Sequence, residues 1–66
     1  MTLQVLVEND HGMMEEVGHA VLEKNDAYQE ELAELAEYLS KQHGGRYTQL
    51  WSGLNCLVSF GKPCSE

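Results

Sequence analysis

The chain has little positive charge: four Lys and Arg stand against eleven Asp and Glu, a formal net charge of −7 in 66 residues. A field of that sign repels phosphate backbones and anionic lipid surfaces, which argues against direct nucleic-acid binding and against a membrane surface. No apolar run approaches the roughly 18 residues needed to cross a bilayer. Met1-Thr2-Leu3-Gln4 also lacks the charged start and apolar stretch of a secretion signal, so the expected setting is the cytoplasm. Proline occurs once, no tract repeats, and 42% of the residues are hydrophobic, enough to collapse and too many for a disordered chain.

Cysteine is scarce as well. Cys56 and Cys64 form no Cys-x-x-Cys pair, and His11, His19 and His43 lack the spacing at which two ligands share a turn. No metal and no other cofactor is expected. In a reducing compartment the cysteines are read as thiols, with Cys56 as a small buried hydrophobe. A Cys/His nucleophile has no support beyond composition, and so short a chain cannot enclose a substrate pocket together with its own core. The expectation is a protein that is not an enzyme. Gly44-Gly45 and Ser52-Gly53 lack the strand-loop-helix setting of a phosphate cradle and read as turns.

A chain of this length folds as one domain at most. The expected domain spans residues 1–62, followed by a tail at 63–66 after the Gly61-Lys62-Pro63 break. Leu3, Val5 and Val7 alternate with Gln4 and Glu8 and predict a strand with one buried face. Asn9-Asp10 supplies a helix N-cap signal, and Met14, Val17 and Val21 at three- and four-residue spacing predict a first helix running to about Lys24, weakened by Gly18. Asn25-Asp26 restarts the chain, with Asp26 as cap and Gln29 in the capping-box position. The second helix carries an apolar stripe of Tyr28, Leu32, Leu35, Ala36 and Leu39 and closes at Gly44-Gly45. Tyr47 to Trp51 and Leu54 to Phe60 flank Ser52-Gly53 as a hairpin, with Leu54, Cys56, Val58 and Phe60 on one face. The expected fold is α+β: a two-layer sandwich in the order β-α-α-β-β, a three-stranded sheet with two helices on one face.

Two sets of residues are candidates for binding. Tyr47 and Trp51 alternate onto one strand face and are the best aromatic anchors. Glu30, Glu34 and Glu37 line the outer side of the second helix, where carboxylates form a solvated face suited to a basic partner.

The stretch Leu35-Ala36-Glu37-Tyr38-Leu39 followed by Tyr47-Thr48-Gln49-Leu50-Trp51 resembles the small cytoplasmic dynein light chain family. That family reads strand, helix, helix, strand, strand, with an Ile-Ala-x-Tyr-Ile-like helix stretch and a Tyr-x₃-Trp step into the next strand. The resemblance covers about half of the chain. Ser52 stands where the family has a histidine after the tryptophan, Ser59-Phe60-Gly61-Lys62-Pro63 replaces its Gly-Phe-Gly region, and its last two strands are missing. The resemblance implies a truncated or divergent peptide-binding dimer, and no site residue is carried over from it. The function expected on all these grounds is a small scaffold or adaptor that binds a protein, or itself as a homodimer, through a sheet edge or aromatic strand face. The second reading is an acidic inhibitor, of the type encoded by mobile elements, that occupies a basic nucleic-acid-binding surface of its target.

Overall fold

A computed structural model of the chain describes residues 1–23 and 26–62. The expected tail at 63–66, Cys64 among it, and the Lys24-Asn25 junction lie outside the described residues. Five elements follow one another: β1 (Thr2–Glu8), β2 (Met14–Val21), α1 (Tyr28–Gln42), β3 (Thr48–Ser52) and β4 (Asn55–Phe60). All strand pairs are antiparallel, in the order β2-β1-β3-β4.

The class α+β stands, but the expected β-α-α-β-β order does not: one helix packs on a four-stranded sheet, in place of two helices on three strands. The segment read as a first helix is β2, an edge strand. Asn9 explains the difference. Its side-chain Oδ1 accepts the backbone N–H groups of His11 (2.9 Å) and Met13 (3.1 Å), and its own N–H donates to the Met13 carbonyl (2.8 Å). With Gly12 at φ 77°, these bonds reverse the chain and set Met14 opposite Glu8.

Strand β2 also hides its period. Val5 faces Gly18 and Leu6 faces Glu16, so Val17 is the extra residue of a bulge. Gly18 and Ala20 lie on the inner side opposite Val5 and Leu3, whereas Glu16 and His19 lie on the outer side opposite Leu6 and Gln4. The one-residue insertion converts a two-residue alternation into the three- and four-residue spacing that imitates a helix.

The true helix buries the stripe foreseen for it. Leu32 and Ala36 join Leu3, Val5, Val7 and Leu50 in the core, with Tyr28, Leu35 and Leu39 packed around them. Its start is one residue later than expected, with Ala27 in the N-cap position in place of Asp26 and no side-chain cap. Glu30 and Glu31 in the first turn face the positive end of the helix dipole instead. Its end follows the glycines: Gly45 N–H donates to the Ser40 carbonyl (2.8 Å) and Gly44 N–H to Lys41 (3.3 Å). Both glycines have positive φ, 74° and 79°, the paired bonds of a left-handed helix cap.

At this junction the Arg46 carbonyl accepts two hydroxyls, Ser40 Oγ at 2.7 Å and Thr48 Oγ1 at 3.0 Å, and both side chains are buried. The Arg46 guanidinium turns the other way, donating to the Glu8 carbonyl (3.2 Å) and to the Asp10 carboxylate. The helix therefore lies over β3 and β4. Strand β2 is left beyond it, across a cleft of about 360 Å³ whose walls include Glu15, Val17, His43 and Arg46.

The β3-β4 hairpin forms, but its two-residue turn is Gly53-Leu54, one residue later than the expected Ser52-Gly53, because Ser52 pairs with Asn55 and Gly53 at φ 61° opens the turn. The single apolar face expected for β4 does not form. Leu50 faces Val58 and Trp51 faces Cys56, so Leu57 is the bulged residue. Leu57 and Val58 pack on the core, while Cys56 is exposed and not a buried hydrophobe, and Leu54 at the turn is 94% exposed.

Gly18 separates the two descriptions of β2. A Cβ there meets nothing within 4 Å and its φ is not positive. Gly18→Thr is expected to raise stability by about 0.5–1 kcal/mol in a denaturant titration, because a β-branched residue suits a strand. Gly18→Ala should gain less, and a larger gain for Ala than for Thr would return the segment to a helix.

Candidate protein-interaction face

With α1 on one side, the other side of the sheet has no layer over it among the described residues. Alternation brings Gln4 and Leu6 of β1 and Gln49 and Trp51 of β3 onto this open face. Gln4 faces Trp51 and Leu6 faces Gln49 across the β1-β3 pair. Cys56 and Ser59 extend the face through β4, and Glu16 and His19 through β2. Leu6, Tyr47 and Trp51 are each half-buried, with part of each apolar surface left to solvent.

A hydrogen-bonded row runs along β3. Trp51 Nε1 donates to Gln49 Oε1 at 2.9 Å, and Gln49 Nε2 donates to the Tyr47 hydroxyl at 3.1 Å. Residues two apart on a strand share a face, so the glutamine amide can bridge the two aromatics with one group to each. Both rings are thereby held in place, and their entropy is largely lost before any partner arrives. The Tyr47 carbonyl accepts the Glu8 N–H at 2.9 Å, which anchors the row to β1.

The five residues singled out in the sequence do not form one site. Tyr47 and Trp51 are brought together through Gln49. Glu30, Glu34 and Glu37 are exposed on the outward side of α1, across the helix and sheet layers from the aromatics. Glu37 pairs with Lys41 Nζ at 3.2 Å; among the described residues no cation pairs with Glu30 or Glu34. Sequence reasoning missed Gln49 and Leu6, since a polar residue between two aromatics reads only as alternation. It also missed Glu8, which is 3% exposed where a solvent-facing carboxylate was expected.

Among the described residues no three His, Cys, Asp or Glu side chains are grouped to hold a metal ion. His19 Nε2 lies 3.2 Å from Glu16 Oε1 at the sheet surface, both well exposed. No described helix is long and apolar enough to cross a membrane. No protein-family model matches the chain, and neither a curated protein nor a solved structure matches it.

Trp51 is the only tryptophan, so its fluorescence reads the row directly. Gln49→Leu is expected to keep the fold at a cost of about 1 kcal/mol. It should also shift and broaden the Trp51 emission as the indole loses its acceptor. Emission identical to the parent protein would show that the glutamine does not fix the ring.

Proposed function

We propose that the chain is a non-catalytic protein-binding module that engages its partner through the open face of the sheet, with Tyr47 and Trp51 as anchors. The observation that carries this reading is the Tyr47-Gln49-Trp51 row, two aromatics pre-positioned on a face that no described element covers. Aromatic side chains with a polar tip contribute the most to interfaces when they are rigid and central. With strands about 4.8 Å apart and about 3.4 Å per residue, the face measures on the order of 400 Å². That suits the small, transient class of interface. A cytoplasmic setting fits the exposed Cys56 thiol, which an oxidising compartment would expose to cross-linking.

A second reading rests on a different observation: Glu30 and Glu34 stand on the exposed side of α1 without a basic partner among the described residues. That side could occupy a basic, nucleic-acid-binding surface on a target, as an acidic inhibitor does. The two readings use opposite sides of the molecule and respond differently to salt. Contact through aromatics changes little with ionic strength, whereas contact through carboxylates weakens steeply.

The test uses the immobilised chain against extract of its source cells, with Tyr47→Ala/Trp51→Ala and Glu30→Gln/Glu34→Gln as parallel baits. A specific partner is expected to bind the glutamine variant and the parent alike. It should bind the alanine variant at least about 30-fold more weakly, as loss of about 2 kcal/mol of anchor contact requires. The reverse pattern, with binding lost in moderate salt, would replace this reading with the acidic-inhibitor one.

A further inference from the structure

The sheet ends in two edge strands, β2 and β4, and an edge presents unpaired backbone N–H and C=O groups that another strand can take up. The two edges are protected very differently. On β2, Glu15 and Glu16 are exposed and the Val17 bulge interrupts the ladder between them and Gly18. A second copy paired there would set carboxylates against carboxylates, which is destabilising directly across a strand pair. Strand β4 has a bulge of its own, at Leu57, but no charged side chain. From Tyr47 to Gly61 the sequence contains no Asp, Glu, Lys, Arg or His, in a chain whose net charge is −7. Two copies that repel each other elsewhere can meet along this edge with no charged side chain on either strand.

The local geometry adds a shape argument. Past the Leu57 bulge, Val58, Ser59 and Phe60 keep regular register against Leu50, Gln49 and Thr48. Phe60 is 38% exposed. A groove of about 300 Å³ runs between the start of α1 and β4, lined by Tyr28, Gln29, Leu32, Leu57 and Val58. In an antiparallel pair centred on Ser59, Phe60 of one copy falls beside Val58 and this groove of the other.

We propose that β4 is a self-pairing edge. Two copies of the chain join antiparallel through the Val58–Phe60 end of β4 about a two-fold axis at Ser59, and their sheets, four strands each, become one. The contact is isologous, so each copy supplies the same residues to it. So short a strand pairing buries less than the roughly 1,200 Å² of a standard interface, so the dimer is weak and depends on concentration. Both helices lie on the same face of the joined sheet with acidic outer sides, so added salt screens their repulsion and strengthens the dimer. The inference concerns backbone pairing along an edge that borders the open face at Ser59, and it needs no foreign partner to test, so its failure is distinguishable from failure of the partner-binding reading.

Sedimentation equilibrium from about 10 µM to about 1 mM, with reductant present to prevent a Cys56 cross-link, reads the association directly. The expected result is a monomer–dimer equilibrium that tightens as salt is added. Ser59→Lys, which places two cations at the axis, is expected to weaken it about tenfold or more. Val21→Lys makes the same charge change on the β2 edge and is expected to leave it unchanged or slightly tighter. A monomer throughout the range would overturn the proposal. So would a dimer that Val21→Lys disrupts and Ser59→Lys does not, or one that neither variant affects. If Ser59→Lys loses the native Trp51 emission, amide exchange in the parent chain decides: protection at Val58 to Phe60 that rises with concentration supports the edge, and protection that stays flat refutes it.

Discussion

The arrangement of the whole domain depends on one backbone carbonyl, that of Arg46. It accepts the hydroxyls of Ser40, in the last turn of α1, and Thr48, the first residue of β3. Both side chains are almost fully buried, and leaving either hydroxyl unpaired would cost about 1–3 kcal/mol. The bond pair therefore fixes where the helix must stop relative to the sheet. Gly44 and Gly45 make the reversal between them feasible, since each adopts a positive φ that a side chain would oppose. From the same residue, the guanidinium holds the Glu8 carbonyl and Asp10, which ties the β1-β2 turn to the helix end. Three parts of the chain far apart in sequence are thus registered by one residue.

A single helix placed in this way cannot cover four strands. It is about 10 Å across, whereas four strands at about 4.8 Å span nearly twice that. Coverage goes to β3 and β4, whose Leu50, Leu57 and Val58 meet the helix stripe. Strand β2 lies at its margin, where Ala20 packs against the core but the bulged Val17 remains 46% exposed. Among the described residues nothing covers the outer face. The shortage of helix separates the molecule into an acidic side along α1, a neutral edge at β4 and an amphipathic open face centred on Gln49. Charge and aromatic residues are segregated among these surfaces, which is why the two functional readings of the sequence map to opposite sides.

Much of this was legible from residue patterns where local and tertiary preferences agreed. The Leu3-Val5-Val7 alternation, the Tyr28-to-Leu39 stripe, the Gly44-Gly45 cap and the hairpin turned at Gly53 each have a local cause that the fold leaves in place. Tyr47 and Trp51 share a face because strand alternation requires it. The misreading of β2 has a physical origin in two ambiguities. An asparagine oxygen taking an N–H two residues on is the same bond in a helix cap and in a chain reversal, so Asn9 alone cannot distinguish them. A bulge shifts every later residue by one position, which disguised β2 as helical and reversed the facing of Cys56 relative to Val58. The Gln49 bridge depends on side-chain rotamers, which spacing does not encode.

The most direct test of this account is the pattern of nuclear Overhauser contacts in the isotope-labelled chain. The account predicts cross-strand contacts between Val5 and Gly18 and between Gln4 and Trp51, with no α1 proton near the Trp51 indole. Sequential helical contacts through residues 14–21, or helix side chains packed on Trp51, would mean that the open face does not exist and would contradict the account at its base.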